Sequence, residues 1–137
     1  MAHYFTNDKV KSNERIINIK IKDTDLKLTV DNGVLSKKGL DFGTRTLLES
    51  IDINEIKGDI LDFGCGYGPI GIYVAKKTNQ KVDMVDINER ALNLSKKNAK
   101  LNEVDGNIFQ TDIFSNIDKN YDYIITNLPI RVGKKML

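Results

Sequence analysis

A glycine-rich run in the middle of the chain joins a buried-strand pattern to a helical pattern. It spans Asp62–Gly68 and reads DFGCGYG. Glycines at such a junction allow a sharp backbone turn and let a ligand come close to the main chain. A tight strand-to-helix turn needs glycine even without a ligand, so the run taken alone is also compatible with a purely structural role.

An acidic residue strengthens the ligand interpretation of this run. Asp86 ends the next strand pattern, about 20 residues further on, where a carboxylate can accept hydrogen bonds from both hydroxyls of a ribose. A dinucleotide fingerprint, Gly-x-Gly-x-x-Gly, does not fit, because Pro69 stands where the third glycine belongs and Gly68 is misplaced for it. The spacing Asp-x-Gly-x-Gly-x-Gly instead favours S-adenosylmethionine, whose methionine end carries an ammonium group and no pyrophosphate.

Two further carboxylates can serve the same ligand. Asp62 would lie beside its cationic end, or would hydrogen-bond the amides of the loop itself; both interpretations stay open. Asp112 follows the third strand pattern and can accept from an adenine amino group while Ile113 covers the ring. In isolation Asp112 fits a turn or helix cap, but a third acid at successive strand ends is better explained as a ligand contact.

The fourth strand pattern ends in a motif that could be catalytic. It runs from Asn127 to Ile130 and reads NLPI. Proline could simply terminate the strand. Alternatively, the Asn127 amide oxygen and the Leu128 carbonyl, aimed by Pro129, accept both hydrogens of an exocyclic amino group. Such acceptors keep electron density on the nitrogen as it attacks a methyl sulfonium, which is catalysis by position and electrostatics without a strong base.

The elements that must position these residues follow Gly58. Strands are predicted over 59–63, 81–86, 107–111 and 121–126, and helices over 69–77 and 89–102, the second capped by Asn88. Strands alternating with helices at intervals of roughly 25 residues predict βαβ units and a parallel sheet with right-handed crossovers. The fold class is therefore α/β, a Rossmann-like doubly wound and mainly parallel sheet.

A different pattern occupies the chain before Gly58. Alternation over 17–22 and 26–30, around the turn-prone Asp23–Asp25, predicts an N-terminal β-hairpin with one wet face. A short helix is expected after Asp41–Thr44, with Thr44 as its N-cap. Its inward-facing residues would be Leu47, Leu48 and Ile51.

The length and net charge of the chain limit the number of domains and the class of protein. The 137 residues, 15.5 kDa, predict a single domain, in which 1–57 form the hairpin and helix and 58–137 the cofactor-binding core. Lys and Arg number 21 against 19 Asp and Glu, a net charge of +2, which excludes a strongly basic nucleic-acid-coating protein. The basic tip at Arg131, Lys134 and Lys135 fits either RNA phosphates or a solvated helix start.

Cysteine and histidine usage excludes several site classes. One Cys and one His cannot form a disulfide or a Cys/His zinc site, so no metal is expected. Cys65 has no His near it in sequence and is predicted to be structural, and His3 is expected not to be a ligand. The polar start and the lack of a long apolar stretch predict a cytoplasmic protein with no membrane contact.

Over Gly58–Lys135 these motifs resemble the class I S-adenosylmethionine-dependent methyltransferases. The resemblance implies that S-adenosylmethionine is the cofactor and that Asp86, with Ile87 beside it, binds the ribose. It implies that Asp112 and Ile113 contact the adenine. The cofactor loop would contribute its acid and its small residues, namely Asp62, Gly64, Cys65, Gly66 and Gly68. The run Asn127–Ile130 resembles the Asn-Pro-Pro-aromatic/aliphatic motif of enzymes that methylate planar nitrogens, and Asn127 would touch the cofactor as well.

Longer segments narrow the resemblance to the methyltransferase small domain, a group that includes ribosomal RNA small-subunit guanine-N2 methyltransferases. They are GVLS at 33–36, LDFGT at 40–44, GYGPIG at 66–71 and NLPIRVGK at 127–134. The resemblance implies methylation of an exocyclic guanine amine in small-subunit ribosomal RNA. It also implies that Phe42, Gly43 and Thr44 lie over the methionine end of the cofactor, unless this segment only caps a helix.

Two departures from the family keep other functions open. Leu128 stands where the family usually has proline, which reduces the rigidity that aims the acceptor carbonyl. The chain also ends at Leu137, before the last three strands of the seven-stranded sheet that the family implies, so a fragment or truncated gene product is expected. The alternatives are methylation of a protein glutamine or a DNA adenine through the same Asn-x-Pro site, and a non-catalytic remnant that binds cofactor or a partner.

Overall fold

The computed structural model describes residues 12–32, 40–111 and 119–126. The strands are β1 (Arg15–Ile21), β2 (Thr24–Val30), β3 (Ile60–Phe63), β4 (Val82–Asp86), β5 (Ile108–Gln110) and β6 (Tyr123–Thr126). The helices are α1 (Phe42–Ser50), α2 (Pro69–Thr78) and α3 (Glu89–Leu101), with a short 3-10 turn at Ile53–Glu55 that the sequence did not predict.

Four of the strands form a parallel sheet in the order β5-β4-β3-β6. The chain adds β4 and β5 on one side of β3 and then returns to place β6 on the other side. Open α/β sheets bind ligands at this kind of reversal, just beyond the carboxyl ends of the strands. The predicted α/β class and parallel sheet are confirmed, and the reversal lies between β3 and β6.

The N-terminal strands pair antiparallel, with Ile17 opposite Leu28. Alternation puts the apolar side chains on one face, where Leu26, Leu28 and Val30 are buried and Ile17 is half-buried. The outward face carries polar residues such as Asn18, Lys20 and Lys27. The predicted hairpin with one solvent-exposed face is confirmed.

Helices α2 and α3 pack on the parallel sheet, and β2 packs on both helices. Two lysines at the end of α2 hold the hairpin turn: Lys76 Nζ donates to the Asp25 carbonyl over 2.8 Å, and Lys77 Nζ contacts Asp23 Oδ1 at 3.0 Å. The apolar core is continuous from the hairpin through the helices to the sheet. The hairpin is therefore an integral layer of the fold.

The start of α1 differs from the prediction that Thr44 caps this helix. Asp41 is the N-cap, because its Oδ2 accepts the Thr44 N–H at 3.2 Å, and Thr44 lies inside the first turn. Thr44 Oγ1 also donates to Asp41 Oδ1 at 2.8 Å. Both residues are good caps, but Asp41 lies three positions before a backbone N–H that needs a partner, and an extended backbone at Asp41 lets it reach. The residues expected to face inward do so, with Leu48 fully buried.

Within the described ranges, no helix has the length and apolar character that a membrane crossing requires.

Candidate functional site

The glycine run forms the loop between β3 and α2, at the reversal of the parallel sheet. Its backbone is fixed against β4, because the N–H groups of Gly64 and Cys65 both donate to the Val85 carbonyl, at 2.9 and 2.8 Å. On the other side, Thr126 Oγ1 at the end of β6 donates to the Phe63 carbonyl at 2.9 Å. The end of β6 thus lies directly beside the loop.

Asp86 is the last residue of β4, is buried, and binds the glycine loop through its carboxylate. One carboxylate oxygen accepts the Gly66 N–H at 2.7 Å, and the other accepts the Asn88 N–H at 2.9 Å. A carboxylate has about four lone-pair positions, so it can accept several hydrogen bonds at once. The predicted cap of α3 is confirmed, because Asn88 Oδ1 accepts the Ala91 N–H at 3.1 Å.

Asp62 points from β3 into the base of the same loop and is 1% exposed. Its Oδ2 accepts the Gly71 N–H of α2 at 2.8 Å, whereas Oδ1 has no hydrogen-bond partner among the described residues. Burial raises the pKa of this carboxyl to about 7, and the charge of nearby Asp86 acts in the same direction. A buried acceptor of this kind fits a cationic ligand group, which would supply both a donor and a compensating charge.

Cys65 is buried in the loop, and burial raises the pKa of its thiol well above the ordinary value. Its Sγ contacts Ser95 Oγ at 3.7 Å. A protonated, enclosed thiol is a poor nucleophile, in agreement with the predicted structural role.

Two glycines of the loop have different surroundings. Gly66 has φ +58, and a Cβ built there would meet no atom of the described residues within 4 Å. Gly68 has φ +101, and a Cβ there would lie 2.9 Å from Ile72 Cδ1 and 3.0 Å from Ser95 Oγ. The Gly66 backbone therefore faces open space that a ligand can enter, whereas Gly68 is needed for packing.

This contrast gives a stability prediction. We expect Gly68→Ala to lower the free energy of unfolding by roughly 2–4 kcal/mol, because it adds a clash to an unfavourable φ. Gly66→Ala should cost only about 1 kcal/mol, the penalty of a left-handed backbone alone. Denaturant unfolding of both variants checks the difference, and equal losses would contradict the assigned roles.

Side chains of α3 hold the loop through two of its backbone carbonyls. Ser95 Oγ donates to the Gly66 carbonyl at 2.6 Å, and Asn98 Nδ2 donates to the Tyr67 carbonyl at 2.8 Å. The sequence reasoning missed both residues. A signal existed: with Ala91 and Asn102 they follow the buried stripe of α3 at helical spacing.

The remaining predicted site residues divide into those that the structure describes and those that it does not. Ile87 is half-buried after β4, where its carbonyl accepts Gln110 Nε2 at 2.9 Å, and the Thr111 N–H donates to the Asp86 carbonyl at 3.0 Å. Six predicted site residues lie outside the described ranges, in the segments that begin after Thr111 and after Thr126: Asp112, Ile113, Asn127, Leu128, Pro129 and Ile130.

Thr44 is buried at the start of α1. The hydrogen bonds given above for Thr44 lie within the cap of α1, so its place over a cofactor stays a prediction. Among residues 12–32, 40–111 and 119–126, no group of three or more His, Cys, Asp or Glu side chains could hold a metal ion.

Comparison of the sequence with known proteins gives a consistent result. The profile of the Methyltransferase small domain matches residues 25–137. The uncharacterized protein YbxB of Bacillus subtilis (strain 168) is 44% identical over 140 residues, covering 98% of this chain and 70% of YbxB. Ribosomal RNA small subunit methyltransferase C of Psychromonas ingrahamii is 39% identical over 117 residues, covering 85% of this chain. The chain spans only 33% of that enzyme's length.

Comparison of the fold points the same way. The solved T. thermophilus 16S rRNA N2 methyltransferase (RsmC), in complex with AdoMet and guanosine, superposes with a TM-score of 0.78 and covers 90% of this chain. The sequences are 23% identical, and the match covers 35% of the solved chain. At this identity the likeness shows the fold, which is that of a methyltransferase.

Proposed function

The chain belongs to the Methyltransferase small domain family, and from that premise we propose that it transfers a methyl group from S-adenosylmethionine to the exocyclic amine of a guanine in small-subunit ribosomal RNA. The observation that carries the proposal is the pair of buried carboxylates around an open glycine loop at the sheet reversal. Asp86 braces the loop at Gly66, and Asp62 keeps one oxygen without a partner among the described residues.

The described residues would hold the cofactor at three points. Asp86 has acceptor capacity for the ribose hydroxyls, and the open space at Gly66 admits the ligand close to the backbone. Asp62 Oδ1 would accept from the ammonium of the methionine end. Asp112 and Ile113, which follow Thr111, are assigned to the adenine, and Thr44 to the methionine end.

The chain's own contribution to the reaction is positional and electrostatic. S-adenosylmethionine supplies an electrophilic methyl group on a sulfonium. The Asn127 amide oxygen and the Leu128 carbonyl would accept the two hydrogens of the guanine amine, and Pro129 and Ile130 would shape the pocket. This arrangement orients a weak nucleophile and disperses the positive charge that develops on its nitrogen. The contact between Thr126 and Phe63 supports the placement, since the motif begins one residue later.

The RNA substrate is proposed from the relatives. The names of the matched enzymes refer to ribosomal RNA of the small subunit, and the T. thermophilus RsmC was solved in complex with AdoMet and guanosine. A guanine amine inside a duplex could not reach acceptors at a strand end, so we propose that the base is unpaired or flipped out.

A methyl-transfer assay tests the proposal. Labelled S-adenosylmethionine is incubated with the chain and with naked small-subunit RNA, assembled subunits, adenine-containing DNA or a glutamine-containing protein. We expect label on guanine N2 of the RNA. Label on DNA adenine or on glutamine would overturn the substrate assignment, and binding without transfer to any acceptor would favour a non-catalytic cofactor-binding protein.

Cofactor binding gives a second prediction. Asp86→Asn should weaken S-adenosylmethionine binding roughly tenfold to hundredfold, the value of one charge-assisted hydrogen bond. Asp83→Asn is the matched control, because Asp83 is a buried acid of the same strand whose partners Tyr121 and Asn107 lie at the far end of the sheet. Calorimetry should show an affinity within about twofold of the unmutated chain for the control. Unchanged affinity in folded Asp86→Asn would remove Asp86 from the site.

A further inference from the structure

Asn98 lies fully buried in α3 and hydrogen-bonds two other parts of the fold at once. Its Oδ1 accepts the Thr29 N–H of β2 at 2.6 Å, and its Nδ2 donates to the Thr29 carbonyl at 3.1 Å. The same Nδ2 donates to the Tyr67 carbonyl of the glycine loop at 2.8 Å. One side chain therefore joins the N-terminal hairpin to the loop.

Asn102 makes the same pair of contacts one turn later on the helix. It accepts the Lys27 N–H at 3.1 Å and donates to the Lys27 carbonyl at 2.8 Å. Its second Nδ2 contact, at 2.7 Å, returns to the Asn98 carbonyl of its own helix. Asn102 thus binds the hairpin in the same way as Asn98, and its hydrogen bonds to described residues do not include the loop.

The spacing of the two asparagines along the helix matches the spacing of their partners along β2. Four helical residues rise about 6 Å, and two strand residues rise about 6.6 Å, so amides at 98 and 102 fall opposite alternate residues of β2. Each amide pairs with the outward N–H and C=O of one strand residue, as a neighbouring strand would. The hairpin is docked by two equivalent clamps, and only one of them extends to the loop.

We infer that Asn98 is a positioning residue that couples docking of the hairpin to the shape of the cofactor loop. With Ser95 it draws two successive loop carbonyls, those of Gly66 and Tyr67, toward α3. When these carbonyls are fixed, the backbone at Gly66 stays next to the open space that a ligand can enter. The inference rests on the proposed function, because it takes S-adenosylmethionine as the ligand of this loop. Coupling is reciprocal, so a ligand that fixes the loop must also strengthen hairpin docking.

The two asparagines provide a matched test. We expect Asn98→Ala to weaken binding of S-adenosylhomocysteine, a non-reactive probe, by roughly fivefold or more, the lower range of coupling between linked sites. Asn102→Ala removes the same hairpin contacts and should change the affinity less than about twofold. Calorimetry at a temperature where both variants are folded measures the two values. Equal losses of affinity would overturn the inference, because hairpin docking alone would then account for them.

Amide exchange on the unmutated chain gives a readout that does not depend on the variants folding. S-adenosylhomocysteine should slow hydrogen exchange at the Thr29 N–H, which donates to Asn98. The slowing should be smaller at the N–H of Leu28, a residue that pairs with Ile17 inside the hairpin. No added protection at Thr29 would overturn the inference while leaving the proposed function intact. Failure of the unmutated chain to bind the probe would overturn both.

Discussion

Asn127→Ala is expected to lower the rate of methyl transfer by roughly 10²–10³-fold, the usual cost of removing one preorganised hydrogen-bonding group from a site of developing charge. Cofactor affinity should change far less, because the acceptor interaction matters most in the transition state. Single-turnover rates on small-subunit RNA, together with calorimetry of cofactor binding, measure the two quantities separately.

The matched control for this variant is Asn107→Ala. Asn107 precedes β5 and donates to Asp83 at 3.1 Å, so it is an asparagine at the opposite end of the same sheet. Its loss should leave the transfer rate within about twofold of the unmutated chain. Full activity of Asn127→Ala would overturn the assignment of the acceptor, and equal losses in both variants would show that folding, not chemistry, is affected.

Asp62→Asn should stabilise the ligand-free protein at alkaline pH and weaken the binding of cofactor. The folded carboxyl has a pKa of about 7 against an ordinary 3.8, so the folded protein holds a proton that the unfolded chain has released. Stability therefore falls as pH rises from about 4 to 7, and asparagine removes this fall. Between pH 5 and 8 the variant should gain roughly 2–3 kcal/mol relative to the unmutated chain.

Denaturant unfolding at several pH values checks the gain. Parallel profiles for Asp62→Asn and the unmutated chain would contradict the pKa assignment. Calorimetry should show at least roughly tenfold weaker cofactor binding by the variant, since a buried charge-assisted contact with an ammonium is lost. In the unmutated chain the affinity should fall below pH 7, because Asp62 must release its proton to pair with the ligand. Stability and ligand binding thus make opposite demands on this residue.

Local patterns predicted most of the fold. Alternation located the hairpin, and apolar runs bounded by turns located β3 to β6 within two residues at each end. Asn88 was found as a cap because the apolar spacing of α3 begins directly after it. Thr44 was placed wrongly because Asp41 and Thr44 are both good caps, and choosing between them requires the backbone angles.

The buried stripe of α3 marks the side chains that shape the loop, but their hydrogen-bond partners could not be predicted in this way. Asn98 and Asn102 are polar residues in a lysine-rich helix, where asparagine is ordinarily solvated. Their partners in β2 lie 69 and 75 residues away, and nothing local indicates such a pairing. The same holds for Asp31, a 2% exposed carboxylate that accepts from Arg90 at 3.2 Å. Long-range polar contacts need the assembled structure.

The separation between the hairpin and its asparagine clamps has a consequence for synthesis on the ribosome. Thr29 leaves the ribosome 69 residues before Asn98, which at 5–20 residues per second is a delay of roughly 3–14 seconds. A two-stranded hairpin is at best marginally stable alone. Helix α2 is synthesised first and can cover part of its apolar face, but the asparagine clamp on Thr29 cannot form until α3 has emerged. The nascent hairpin is thus accessible to chaperones and proteases until α3 has emerged and completes its docking.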